Sequence, residues 1–317
     1  MAIQHDNESY LFMEDESEWG QDPGRSGSAA AGTQYFVPVL SYGVQATPLV
    51  RAAQRKVGLH QNKFMSIYGA DVAGPISMHL HGYKPSGVSI TLAEKMLTWA
   101  FGDFESKAPA SKSAEWADGP DVANVRHTGL RVNTATLVGN ADSGDLILNL
   151  DCIGKEEFEL TTAQTLPTDM EKGVDMQMVD CTFTVDSETL YVQSFQQQLT
   201  RTLQPLRLSG SHWISGLPSG PREETLSLTF PLESRKWLDK RRLSSTTEIT
   251  ATITMQGLHN GTGSTGNYTK LTRVFNRLSF VSQQRQGDFA TIMQPLTFRV
   301  LKPDSSSNAY TDTWSEV

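Results

Sequence analysis

Leu226, Leu228, Phe230 and Leu232 alternate with Thr225, Ser227 and Thr229, the period-two pattern of a strand with one face buried and the other wet. The pattern returns after a short insert, where Ile249, Ala251, Ile253 and Met255 alternate with Thr250, Thr252 and Thr254. The insert, Glu233 to Leu243, has an acid first, the bases Lys240, Arg241 and Arg242 last, and Trp237 and Leu238 at its centre. That order suits a short helix and its dipole. Residues 225–256 therefore read as strand, helix, strand. An echo lies earlier: Ile76, Met78 and Leu80 alternate with Ser77, His79 and His81, and Leu92, Ala93, Met96, Leu97, Ala100 and Phe101 then recur at helical spacing up to a stop at Gly102. Two readings are open, an internal duplication or two unrelated strand-helix units in one protein.

Further strands are expected at Gly129 to Val138 and Leu146 to Ile153, joined by a turn at Asn140 to Gly144. In the second half they are expected at Val179 to Val185, Tyr191 to Leu203, Thr269 to Val281 and Leu296 to Leu301. Glu105 to Val122 is rich in Lys, Ala, Ser, Asp and Pro and reads as a loop, and Gly257 to Asn267 as a glycine-rich tip. The expected division is a flexible arm (1–33), a first β domain (34–172), a second (173–303) and a C-terminal tail (304–317). The arm sets Asp6, Glu8, Glu14, Asp15, Glu16, Glu18 and Asp22 against Arg25 alone, a balance that does not order by itself. Within it Tyr10, Leu11, Phe12, Met13 and Trp19 form an apolar set suited to docking on a neighbour. Strands dominate and helices are short, which is a mainly β plan of packed or closed sheets.

Composition narrows the function more than the fold. The 317 residues carry a net charge of -8, which argues against binding nucleic acid by neutralising phosphates. A negative surface would let DNA pass without sticking. Mean hydropathy is -0.35 and the apolar runs are too short to span a bilayer, so no membrane partner is expected. Met1 to Glu18 lacks the basic start and apolar centre of a secretory signal. Cys152 and Cys181 each alternate with apolar residues and are expected to be free thiols. His79 and His81 share a strand face without a third ligand in reach, so no metal and no cofactor is assigned. No nucleophile elbow, phosphate loop or dinucleotide fingerprint occurs, and no catalytic residue is assigned. The basic set Arg235, Lys236, Lys240, Arg241 and Arg242 could meet the acidic arm of another copy.

Three stretches together resemble the tail tube proteins of long-tailed bacteriophages. They are Glu14 to Pro23, an acidic and aromatic-glycine opening; Gly74 to Leu80 running on to Leu97 to Gly102, a strand and a glycine-ended helix; and Phe183 to Arg299, similar in layout to that family's second sheet region. The resemblance implies a tail-tube-type β-sandwich or barrel with short flanking helices, present as two tube domains if the internal duplication holds. It implies a structural virion protein, made in the host cytoplasm, whose copies form rings that stack into a hollow tube through which DNA leaves without specific binding. Other tail proteins would be partners. If the duplication holds, three copies give a pseudo-six-fold ring; otherwise a hexamer is expected. Stacking contacts are expected at Tyr10, Phe12 and Trp19, and at Leu258 and Asn260 in the tip, with Arg241 and Arg242 as further subunit contacts. Ser77, His79, Ser227, Thr229, Thr250 and Thr252 are expected on the lumen or another wet sheet face. The competing reading is a carbohydrate- or receptor-binding β-sandwich with stacking tryptophans, against which Trp99 and Trp237 sit inside apolar helix patterns.

Overall fold

The computed structural model of the chain describes residues 10–21, 34–52, 65–82, 91–102, 109–117, 124–160, 175–231, 237, 248–258, 268–283, 293–302 and 309–316. The first half holds β1 (Tyr10–Asp15), β2 (Gln34–Val37), β3 (Ser41–Tyr42), β4 (Gln45–Ala52), β5 (Met65–His79), helix α1 (Leu92–Phe101), β6 (Lys112–Ala117), β7 (Asn124–Asn140), β8 (Leu146–Gly154) and β9 (Glu156–Leu160). The second holds β10 (Thr182–Val185), β11 (Glu188–Leu190), β12 (Ser194–Thr200), β13 (Glu223–Pro231), β14 (Ile249–Leu258), β15 (Tyr268–Gln283), β16 (Met293–Val300) and β17 (Tyr310–Glu316). All the strand pairs are antiparallel, and the protein is mainly β.

The pairing pattern runs twice. In the first half β1 pairs with β2 and β6, β6 with β7, β7 with β8 and β9, β8 with β5, and β5 with β4. In the second half β10 pairs with β11 and β14, β14 with β15, β15 with β16 and β17, β16 with β13, and β13 with β12. Each link of the first series has its counterpart in the second, in the same chain order. Even the helix fits: α1 follows β5, and Trp237, helical and buried, follows β13. The rest of the helix expected at Glu233 to Leu243 lies outside the described residues. The two halves meet where Ser194 to Thr200 of β12 pairs with Asn140 to Thr134 of β7.

Long strands that change partners create two layers. Residues 125–130 of β7 pair with β6, and residues 131–139 pair with β8. Gly129, with φ of +68°, lies two residues before the changeover, and a register shift follows it between Val132 and Thr134. β15 behaves alike, passing from β17 to β16 across a shift between Ile249 and Ala251 of its neighbour β14. One layer is a broad sheet ordered β4-β5-β8-β7-β12-β13-β16-β15. The other consists of two smaller sheets, β2-β1-β6-β7-β9 and β11-β10-β14-β15-β17. Phe183 of β10 reaches Phe195 of β12 with ring centroids 5.2 Å apart, and Tyr42 of β3 stacks on Trp116 of β6 at 5.2 Å. Those contacts close the core between layers, into which Leu226, Leu228 and Ile76 point from one side and Ala251, Ile253 and Met255 from the other.

The alternation read at residues 225–230 and 249–255 is found, with the apolar set buried and the hydroxyl set half-exposed or exposed. α1 is also where its spacing placed it, capped by Thr91, whose Oγ1 accepts the Glu94 N–H at 3.2 Å. Three segments differ from expectation. Residues 112–117, read as part of a loop, form β6, because Lys112 and Ser113 are buried against Asp15 and Glu16, far away in sequence, and Glu115 against Arg126 of β7. Part of the segment read as an arm forms β1 between β2 and β6, with Glu14 buried against Arg126 at 2.8 Å. Residues 310–316, read as a tail, form β17 on β15. Cys152 and Cys181 are free, the first buried and the second half-buried, and burial pushes the Cys181 thiol up to about 12.

Candidate assembly surfaces

Antiparallel register lines up the open face of the broad sheet. Ser77 lies opposite Asn149, Asn149 opposite Thr136, Thr136 opposite Gln198, Gln198 opposite Thr225, Thr225 opposite Arg299 and Arg299 opposite Ser279. The result is a continuous polar row across seven strands and both halves. Its members satisfy one another sideways: the Ser77 hydroxyl donates to Asn149 Oδ1 at 2.7 Å, and Ser227 and Thr297 of the adjoining row share a hydrogen bond at 3.2 Å. Arg299 donates to Glu223 at 3.1 Å. Such a face is wetted without a ligand pocket, as required of the inner wall of a water-filled barrel.

Of the residues expected on a wet face, Ser77, His79, Ser227 and Thr229 lie together on this open side of the broad sheet. Thr250 and Thr252 lie on β14 in the other layer, so their hydroxyls face away from the core in the opposite direction. One lumen cannot take all six. The split was invisible to alternation, which gives the wet side of a strand and not the layer that carries the strand.

The expected subunit contacts scatter. Phe12 is buried and meets Phe36 edge-on at 6.1 Å, on the side of β1 away from the main core. Trp19 is half-buried, donates its indole N–H to the Gly129 carbonyl at 2.9 Å, and lies under the guanidinium of Arg131 at 5.2 Å and the Lys155 ammonium at 5.4 Å. Tyr10 pairs with Ala117 and Leu258 with Tyr268 through the backbone. Arg241, Arg242 and Asn260 lie outside the described residues. Large apolar side chains are exposed elsewhere: Leu40, Val50, Tyr68, Leu206, Leu208, Val179, Tyr191 and Val281. Val179 and Tyr191 flank an open groove of about 490 Å³. None of the six tryptophans is fully exposed, and Trp99 and Trp237 are buried.

Buried charge holds the layers in place. The last carbonyls of α1, the negative end of its dipole, are met by Arg222, which donates to Phe101 O at 2.7 Å and Gly102 O at 3.0 Å, by Arg201 to Gly102 O at 2.5 Å, and by the Tyr310 hydroxyl to Phe101 O at 2.5 Å. Arg273 of β15, wholly buried, is held bidentately by Asp312 of β17 and by Gln197 of β12. At the other end Asp15 takes Lys112 and Lys95, which hold its carboxyl below the ordinary value although burial alone would raise it. Among the described residues no group of three or more His, Cys, Asp or Glu side chains is gathered as for a metal, and no helix is long and apolar enough to cross a membrane.

A two-layered β subunit with a continuous polar face and exposed apolar residues beyond it is a construction suited to a structural assembly protein. The chain belongs to the phage tail tube protein family, whose family model matches residues 7–300. It is thus a structural component of the phage tail tube. No curated protein matches the chain.

Proposed function

We propose that three copies of this chain close into a ring with pseudo-six-fold symmetry, that rings stack into the tail tube, and that the polar row of the broad sheet lines its lumen. The observation that carries this reading is the repeated pairing pattern. Residues 10–160 and 182–316 are two versions of one tube unit, so that one chain supplies two of the six positions in a ring. Each unit contributes four strands to the broad sheet, β4-β5-β8-β7 and β12-β13-β16-β15. Six units then give a barrel of roughly two dozen strands, above the 16–18 that already leave an aqueous channel. The tube has no catalytic role. It is assembled in the host cytoplasm with other tail proteins, and DNA passes along hydroxyl and amide side chains that offer it few fixed cations. Thr250 and Thr252 face the outside of the tube in this arrangement.

Light scattering of the purified chain with negative-stain microscopy tests the reading. The expected result is rings of three chains, with six lobes around a central hole, that lengthen into tubes. A particle of one chain at every concentration overturns it, and a ring of six chains overturns the copy number.

A further inference from the structure

The junction inside the chain specifies the junction between chains. On β7, one side is occupied by β6 up to Leu130, and the same side further on, Thr134 to Asn140, takes β12. β15 is the counterpart of β7. One of its sides is occupied by β14 up to Leu278, its other side there takes β16, and beyond Leu278 the β14 side carries no strand among the described residues. The counterpart of β12 is β4, which pairs with β5 alone among the described strands. These two edges lie at opposite ends of the broad sheet. Both carry apolar side chains that a lone sheet edge would not keep, Val281 at 58% exposure on β15 and Val50 at 43% on β4.

Resting on the tube reading above, we infer that residues 279–283 of β15 in one copy pair antiparallel with β4 of the next copy, reproducing between chains the β7–β12 pairing within each chain. The occupant of each edge is a second copy because the fold already contains that contact once, formed by equivalent strands and buried: Ala135, Leu137, Phe195 and Leu199 at the internal junction are all within 2% of full burial. The contact is heterologous, since the β15 edge meets a β4 edge and never another β15 edge, and repeating it carries the chain around a ring.

The β4 edge is also guarded. The Ala46 N–H is taken by Glu157 Oε2 at 2.7 Å, and Pro48, facing the same way along the strand, has no N–H to give. Such devices keep a sheet edge from pairing at random. They leave the Val50 to Ala52 end as the place where the seam starts.

Two substitutions test the seam, Val281→Asp and Val50→Asp, each at an exposed side chain and each checked for folding by circular dichroism. Each variant alone should remain a single chain where the wild type forms rings. Mixed in equal amounts, they should form a complex of two chains and stop, because the intact β15 edge of V50D fits the intact β4 edge of V281D. The milder Val281→Ser should raise the concentration needed for rings at least tenfold without abolishing them. Rings from either Asp variant, or a mixture of folded variants that stays as single chains, overturns the seam while leaving the tube reading standing. A wild type that never assembles overturns both.

Discussion

Asp312→Ala should be among the most damaging single changes on β17, and its cost follows from what it strands. Asp312 accepts from Arg273 Nε at 2.8 Å and Nη2 at 2.7 Å, while Nη1 donates to Gln197 Oε1 at 2.8 Å. The guanidinium also lies 4.4 Å from the Tyr310 ring centroid and 5.3 Å from that of Phe101. Burial alone would favour losing the proton, but the Asp312 carboxylate outweighs it and an arginine stays charged in any case. Without Asp312 a buried cation keeps one amide, two ring faces and the longer-range attraction of the Glu224 carboxylate. Breaking a buried pair in this way costs about 3–5 kcal/mol, and the 23% exposure of the Asp312 side chain, which lets water reach the vacated side, sets the lower figure. For a chain of 317 residues about 3 kcal/mol corresponds to a melting point lower by roughly 4–5 °C. The assay is urea and thermal unfolding of the unassembled chain, with hydrogen exchange reporting release of residues 310–316. Arg273→Met combined with Asp312→Ala should recover a kcal/mol or more relative to Asp312→Ala alone, since removing both charges costs less than orphaning one. A loss under about 1 kcal/mol for Asp312→Ala, or a double variant worse than the single, would refute the argument.

Two other outcomes are expected. His127, bonded to the Tyr42 hydroxyl at 2.7 Å and to Glu157 at 2.8 Å, is held neutral by burial, which lowers its pKa despite the Glu157 carboxylate. The unfolded chain takes up a proton below about 6.5 that the folded chain refuses, so unfolding free energy should fall as pH drops from 6.5 towards 5. His127→Gln should flatten that slope, and an unchanged slope in urea titrations would count against it. Gly74→Ala would set its Cβ 2.1 Å from the Gly43 carbonyl oxygen, a backbone atom that cannot swing aside. It should cost about 1–3 kcal/mol, measured by denaturant midpoint; a neutral result would mean that β3 shifts freely against β5.

What the sequence made legible follows from where each residue finds its partner. β13 and β14 are buried on one face only, so their alternation survives as a pattern in the chain. β6 is covered on both faces, and its buried Lys112 and Glu115 look like loop residues until Asp15, 97 residues away, and Arg126 are brought alongside. Arg273 interrupts the apolar set of Leu271, Phe275 and Leu278, which was a visible anomaly at a core-facing position, but nothing local pointed to Asp312 or Gln197 as its partners. The same limit explains why the repeat was readable only as an echo. A duplicated unit can exchange nearly every side chain while keeping which strand lies beside which, because the strand ladder is made by backbone groups that every residue but proline carries. Identity between residues 76–101 and 225–256 therefore fades while the pairing order stays. It is that order, and not any shared residue, that matches β4 with β12 and β7 with β15, and so lets one internal junction suggest the seam proposed between copies.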